Sequence, residues 1–177
     1  MPNYCLVNIL LKSLFLTRHA KSSWNHVGLS DIERPLNSRG EKAAPFMGQL
    51  IYEKSDIPDL LISSPANRAF STAKAFAKIF GLIENDIIIN DTIYGAGPYQ
   101  LLDIVKEQDN FHQSVMLFGH NPTFTTFANM LTNENIFNVV TCGVVKIDFN
   151  VKNWLDIDYG SGIMNYYEYP KKYQKKS

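Results

Sequence analysis

The amino-acid sequence predicts an α/β fold with a mainly parallel central sheet. Segments typical of strands and helices alternate along its 177 residues, which favours parallel strands joined by helical connections. Two apolar strand-like runs, residues 14–18 and 115–119, end abruptly at His19 and His120. The carboxyl ends of parallel strands meet at one rim, where open α/β sheets bind their ligands. We therefore expect the two histidines to share one site.

Apolar runs bounded by polar residues predict the strands. A run of this kind is typical of a buried strand, and four of them are expected in the sheet: residues 14–16, 59–62, 87–89 and 114–118. Two later segments, 144–149 and 154–159, alternate apolar and polar residues. That alternation predicts a late hairpin or edge strands.

Helices are expected between the strands. We predict four of them: one that begins near Asn37 or Ser38 and ends at about residue 52, and three more over residues 66–80, 98–106 and 122–131. Helical spacing of the apolar residues predicts the second one. Ser38 followed by Glu41 fits a capping box at the start of the first helix. Pro45 lies inside that helix, where we expect it to cause a kink or a shifted start. Gly81 is a favourable C-cap for the second helix.

Composition indicates one ordinary globular domain. Apolar residues make up 45% of the chain, charged residues 19%, and the formal net charge is zero, so a nucleic-acid-binding surface is not expected. No segment is long enough to span a membrane. We expect a single domain over residues 13–170, a short extension over 1–12, and a basic, disordered tail over 171–177.

The cysteines and histidines argue against disulfide and metal chemistry. Cys5 and Cys142 are isolated in the sequence, which favours reduced thiols and a cytoplasmic protein. The four histidines do not occur in pairs at metal-ligand spacing. We therefore expect neither a metal nor another cofactor.

Two arginines accompany the predicted histidine site. Arg18 directly precedes His19, and Arg68 lies just inside the helix that follows the second strand. A guanidinium group can hold two phosphate oxygens at once, so two arginines can fix three equatorial oxygens of a phosphoryl group. One neutral imidazole can attack phosphorus in line while a second one donates a hydrogen bond. The pattern thus indicates phosphoryl transfer to histidine.

The residues around these positions carry a family resemblance. Residues 17–24 (TRHAKSSW) resemble the RHG signature of the histidine phosphatase superfamily, and 63–69 (SSPANRA) and 119–122 (GHNP) resemble its later motifs in the same order. Residues 31–36 (DIERPL) with Arg39 and Gly40 are similar to the SixA-type phosphohistidine phosphatase branch. This resemblance implies a phosphoglycerate mutase-like fold, a three-layer αβα sandwich.

The resemblance also implies roles for individual residues. His19 would be the nucleophile that becomes phosphorylated, and Arg18, Arg68 and His120 would form the rest of the phosphate pocket, without a metal. Ser22 and Arg34 are further candidates for binding the substrate. A loop cap for Ser22 and a solvated loop position for Arg34 are equally good interpretations.

Trp24 is a further aromatic candidate close to the signature. It could face the substrate, but packing in the core is the favoured interpretation for a side chain of this size. The structure can decide between the two by the exposure of the indole ring.

Two positions depart from the wider superfamily. Ala20 stands where glycine is usual, which requires a backbone without positive φ. After the third strand, residues 90–96 (NDTIYGA) place no carboxylate at the position of the usual acid, although Asp91 is near. An alcohol leaving group needs a proton from such an acid, whereas the imidazole of phosphohistidine leaves far more easily. The departure therefore favours a P–N bond in the substrate.

The sequence therefore predicts a metal-independent phosphatase that forms a phospho-His19 intermediate and acts on phosphohistidine in a protein. One alternative is a small-molecule phosphomonoesterase that uses Asp91, Glu33 or Tyr94 as its acid. Another is a non-catalytic module that binds phosphate or a phosphopeptide. Phosphoglycerate mutase activity is less favoured, because the chain is short and the usual acid is missing.

Overall fold

A computed structural model describes residues 11–25 and 28–174. In this part of the chain the strands are β1 (Lys12–Arg18), β2 (Leu60–Ser63), β3 (Ile87–Ile89), β4 (Ser114–Gly119), β5 (Val144–Phe149) and β6 (Gly162–Glu168). The α-helices are α1 (Ser38–Glu53), α2 (Asn67–Phe80), α3 (Pro98–Lys106) and α4 (Thr123–Thr132). The strands form one sheet in the order β3-β2-β4-β1-β5-β6.

The helices cover both faces of this sheet. Successive side chains of a strand point to opposite faces, so Leu14 and Leu16 pack with α3 and α4, whereas Phe15 packs with α1 and α2. The pairs β1–β4, β2–β4 and β2–β3 are parallel, and β5 is antiparallel to both β1 and β6. The predicted three-layer αβα sandwich with a mainly parallel sheet is confirmed.

The register of the parallel strands brings their carboxyl ends together. Arg18 at the end of β1 is opposite Gly119 of β4, and Ser63 of β2 is opposite Phe118. A further backbone bond extends the first pair, since the His19 N–H donates to the Gly119 carbonyl at 3.0 Å. The segments that follow β1, β2 and β4 therefore leave the sheet at the same rim.

The prediction of a strand over residues 154–159 is wrong. Trp154–Asp156 form a 3₁₀ helix, and the last strand, β6, begins at Gly162. The Trp154 side chain is fully buried, and its indole N–H donates to the His112 carbonyl at 2.9 Å. The apolar residues of this segment thus anchor a connecting loop to the core, which produced the misleading alternation.

Helix α1 is held at its start by the residue before it. The Asn37 side-chain oxygen accepts hydrogen bonds from the backbone N–H groups of Arg39 and Gly40, both at 3.0 Å. Asn37, rather than Ser38, is therefore the N-cap. The helix runs without a break through Pro45 to Glu53.

The predicted N-terminal extension and basic tail lie partly outside the described residues. Strand β1 already begins at Lys12, and residues 1–10 are not described. Pro170–Tyr173 form a 3₁₀ helix, in which Lys172 pairs with Glu168 at 3.0 Å. Residues 175–177 of the predicted tail are again outside the description. The boundaries at residues 13 and 170 stay a prediction.

Across residues 11–25 and 28–174, no helix combines the length and the apolar character needed to cross a membrane.

Candidate active site

His19 is oriented by the main chain of the next residue. Its Nδ1 lies 2.7 Å from the Ala20 carbonyl oxygen. A carbonyl can only accept a hydrogen bond, so Nδ1 carries the proton and donates it, which leaves the lone pair of the neutral ring on Nε2. The ring is thus fixed in the tautomer that a nucleophile attacking through Nε2 requires.

Thr72 of α2 fixes the Ala20 peptide in turn. Its hydroxyl accepts from the Ala20 N–H at 2.9 Å and donates to the Arg68 carbonyl at 2.7 Å. All three groups are part of a buried contact between α2 and the end of β1. Ala20 is not among the residues with positive φ in the described chain, so alanine satisfies the backbone requirement at this position.

His120 faces His19 from the end of β4. The two ring centroids lie 5.2 Å apart. The Nε2 atom of His120 is 2.8 Å from the Ser64 hydroxyl, while its buried Nδ1 has no hydrogen-bond partner among the described residues. A Cβ atom on the preceding Gly119 would come within 2.5 Å of the Phe124 ring. The close approach of α4 therefore requires glycine just before this histidine.

The two arginines are anchored by different segments of the chain. The Arg18 Nη1 donates to the Val139 carbonyl at 2.9 Å. The Arg68 Nη1 and Nη2 donate to the Asp31 carbonyl at 2.6 Å and to the Asp31 carboxylate at 2.9 Å. Arg18 ends β1 and Arg68 lies near the start of the helix that follows β2, as predicted from the sequence.

Asp31 is the site residue that sequence reasoning missed. Its carboxylate accepts from Arg34 at 2.8 Å, from Arg68 at 2.9 Å and from the Tyr94 hydroxyl at 2.9 Å. The bonds from Arg34, Tyr94 and Arg68 lower the pKa of this carboxyl to about 2. The spacing of three residues between Asp31 and Arg34 is a signal for their ion pair, but nothing in the sequence indicates the contact with Arg68.

Ser22 and Arg34 contact each other. Arg34 Nη2 donates to the Ser22 hydroxyl at 2.7 Å, and both residues are buried. Their role in binding a substrate stays a prediction.

Trp24 is 76% exposed and lies under the Arg34 guanidinium at 3.1 Å from the ring centroid. The prediction of core packing for Trp24 is wrong, because the indole stacks on a cation at the surface instead.

The acids considered for an ester substrate differ in their location. The Glu33 carboxylate accepts from the backbone N–H and the hydroxyl of Ser30, at 3.0 and 2.5 Å. Asp91 is exposed at the start of a 3₁₀ helix. The Tyr94 ring packs edge-on against His120 with the centroids 5.7 Å apart. Of these three, Tyr94 is the one that contacts a predicted site residue.

Burial and positive charge keep both imidazoles neutral. Burial is the main cause that lowers the pKa of His19 to about 4, with the positive charges of Arg68, Arg18 and Arg34 acting in the same direction. Burial also lowers the pKa of His120 to about 3, assisted by His19 and Arg68. A neutral imidazole has a free lone pair, so the low pKa of His19 is compatible with the predicted nucleophilic role at neutral pH.

The described residues contain no group of three or more histidine, cysteine or acidic side chains that could hold a metal ion. Cys142 is fully buried behind the site, and its backbone N–H donates to the Arg18 and His19 carbonyls, both at 3.1 Å. Burial raises the pKa of its thiol well above the ordinary value. Cys5 lies outside the described residues.

Comparison with known proteins relates the chain to one family and one fold. Residues 14–95 match the family model of the histidine phosphatase superfamily, branch 1. The solved structure of a SixA protein from Agrobacterium tumefaciens superposes with a TM-score of 0.76 at 28% identity, covering 90% of this chain and 98% of the other. The family match thus covers somewhat less than half of the chain, and the fold of the chain is similar to that of a SixA protein.

Two curated relatives extend the comparison. An uncharacterized chloroplastic protein of Arabidopsis thaliana is 29% identical over 151 residues, which are 81% of this chain and 69% of the relative. A 2,3-bisphosphoglycerate-dependent phosphoglycerate mutase of Bifidobacterium longum is 33% identical over 89 residues, or 47% of this chain. The match spans 36% of that mutase's length. The family match and the fold together support a phosphatase. His120 lies beyond the matched family segment, so its place in the site comes from the structure alone.

The depressed pKa values of the histidines predict a pH-dependent stability. An unfolded histidine has a pKa of about 6.5, whereas His19 and His120 titrate at about 4 and about 3 in the folded chain. As the pH falls below about 6.5, the unfolded chain binds protons that the folded chain does not, so the free energy of unfolding decreases. Nitrogen chemical shifts should show both rings neutral at about pH 5. A His19 midpoint near the unfolded value would contradict this expectation.

Replacing Thr72 by valine should destabilise the protein. The change keeps the side-chain shape but leaves the buried Ala20 N–H without a partner, which costs about 1–3 kcal/mol. Urea denaturation measures this loss, with Thr126→Val on the exposed surface of α4 as the matched control, expected within about 0.5 kcal/mol of the wild type. Equal losses in the two variants would mean that the Thr72 bond does not hold the Ala20 peptide.

Proposed function

We propose that the protein is a phosphohistidine phosphatase in which His19 carries the phosphoryl group as a covalent intermediate. The observation that carries the proposal is the 2.7 Å hydrogen bond between His19 Nδ1 and the Ala20 carbonyl. This bond leaves Nε2 unprotonated, and the low pKa of His19, about 4, keeps it so. A neutral, fixed imidazole beside two arginines supports nucleophilic attack on a phosphoryl group.

In the first step His19 Nε2 attacks phosphorus in line with the leaving nitrogen. The new Nε2–P bond forms as the P–N bond of the substrate breaks, and the electron pair of that bond stays on the leaving imidazole. Arg18 and Arg68 bind the equatorial oxygens and balance their charge. The buried Nδ1 of His120, which has no partner among the described residues, donates a hydrogen bond to one of these oxygens.

In the second step water hydrolyses the intermediate. The water oxygen bonds to phosphorus, the Nε2–P bond breaks, and inorganic phosphate leaves with His19 neutral again. Through both steps the Nδ1–H of His19 stays bonded to the Ala20 carbonyl. That bond stabilises the positive charge that the ring acquires while it is phosphorylated.

The state of Asp31 supports a P–N bond as the target. An alkyl phosphate needs a positioned acid to protonate its leaving oxygen, worth about 10²–10⁴ in rate. Asp31 contacts Arg68, but its pKa of about 2 keeps it ionised, so it has no proton to give. The imidazole of phosphohistidine, protonated on its other nitrogen by solvent, leaves without such help.

A small-molecule phosphomonoesterase is the second candidate, and the position of Tyr94 is the observation that favours it. The Tyr94 ring contacts His120, and its hydroxyl donates to Asp31 at 2.9 Å. The bond to Asp31 raises the pKa of Tyr94 above its usual value, which makes the phenol a weaker acid. This candidate therefore predicts slow turnover of esters that depends on Tyr94.

Parallel assays on a phosphohistidine-bearing protein and on a simple alkyl phosphate test the proposal. We expect turnover of phosphohistidine in the absence of metal, and a loss of at least about 10³-fold in His19→Ala, because the attacking atom is removed. His112→Ala is the matched control, since His112 lies near the opposite end of β4. Tyr94→Phe should change phosphohistidine turnover by less than about threefold, as no acid is required.

Each different outcome of these assays points to a different function. Preferred turnover of the alkyl phosphate, lost in Tyr94→Phe, would establish the phosphomonoesterase instead. Saturable phosphate binding with no turnover of either substrate would indicate a binding module. Undiminished activity of His19→Ala on phosphohistidine would refute the covalent mechanism.

A further inference from the structure

A groove lies on the surface beside Arg18, the residue that precedes His19. It encloses about 710 Å³ between α1, the loop over residues 138–141 and the 3₁₀ helix Pro170–Tyr173. Arg18 lines this groove, directly precedes His19 in the sequence, and its positive charge lowers the pKa of His19. The groove therefore shares Arg18 with the proposed phosphate site.

The charged side chains of the groove are all basic. They are Arg18, Lys21, Arg39, Lys42 and Lys171. No aspartate or glutamate lines the groove, and within residues 11–25 and 28–174 no salt bridge joins these five side chains to an acid. The chain as a whole has a formal net charge of zero. Positive charge is thus concentrated beside the site, where it attracts an anionic partner.

The groove also offers half-exposed apolar surface between its cations. Phe46 of α1 and Tyr173 meet edge-on with ring centroids 6.0 Å apart, and both line the groove. Exposed aromatic rings next to cations are typical of surfaces that bind protein segments. A compact inorganic anion would use only a small part of this area.

We propose that the groove binds an acidic segment of the phosphorylated protein, next to the residue that carries the phosphoryl group. The proposal rests on the proposed function for the identity of the reaction, and adds to it the chemistry of the partner. Its basis is charge complementarity, because cations spread along an open groove match several carboxylates on an extended chain. The occupant contacts α1 and the 3₁₀ helix, while its phosphoryl group reaches His19.

Two synthetic phosphohistidine peptides of equal length test this proposal. One carries several glutamates beside the phosphohistidine, and the other carries glutamines at the same positions. At low salt we expect kcat/KM to be at least about tenfold higher for the glutamate peptide, and the difference to shrink as salt screens the charges. The double variant Lys42→Glu, Lys171→Glu should abolish the preference. It should leave turnover of phosphoramidate, which is too small to reach the groove, unchanged.

Lys152→Glu is the matched control, because Lys152 is exposed just after β5, at the end of the sheet opposite the histidines. It should retain the preference for the glutamate peptide. If the charge-reversed double variant does not fold, Lys42→Gln with Lys171→Gln supplies the same comparison. Equal kcat/KM for the two peptides in the wild type would overturn the proposal.

Binding of the unphosphorylated peptides separates this proposal from the proposed function. Fluorescence anisotropy should show tighter binding of the glutamate peptide to the wild type, and loss of that difference in the double variant. If this holds while no phosphohistidine is turned over, the groove inference stands and the proposed function fails. If inorganic tripolyphosphate binds the groove but the glutamate peptide does not, the partner is a small polyanion and the proposal is wrong.

Discussion

The hydrogen bond between His19 Nδ1–H and the Ala20 carbonyl is the interaction on which the site depends. It selects the tautomer, fixes the ring plane and leaves Nε2 as the free nitrogen. The bond exists because β1 ends at Arg18 and the Ala20 peptide is tied to α2 through Thr72. Without it, the same imidazole could rotate and present either nitrogen. The fold thus orients the proposed nucleophile by means of main-chain geometry, and the ring has no acidic hydrogen-bond partner among the described residues.

The arginines near His19 differ in whether an acidic residue neutralises their charge. Asp31 pairs with Arg34 and Arg68, which restrains Arg68 and keeps the Asp31 carboxylate ionised. Arg18, by contrast, lines a groove whose charged residues are all basic. The first arrangement limits the acid available to a leaving group, and the second attracts an anionic partner. Together they explain why the proposals favour phosphohistidine in a protein with an acidic segment.

Sequence reasoning predicted β1 to β5, the four α-helices and the meeting of His19 with His120, because strand ends in a parallel sheet share one rim and both motifs are local. It misplaced the last strand, which begins at Gly162. It failed where a residue's surroundings come from distant segments. Asp31 contacts Arg68 and Tyr94, which lie 37 and 63 positions away along the chain, and no periodicity records such contacts. The two tryptophans show the same limit: Trp24 stacks on Arg34 at the surface, and Trp154 anchors a loop in the core.

The position of the phosphoryl group on the intermediate tests the central claim most directly. The protein is labelled with ¹⁵N in its imidazoles, phosphorylated with a phosphohistidine donor and then unfolded in alkali. Phosphorus–nitrogen coupling then shows which nitrogen is bonded to phosphorus. The hydrogen bond from Nδ1 to the Ala20 carbonyl predicts phosphorus on Nε2 of His19. Phosphorus on Nδ1 of His19, or on His120, would contradict the account.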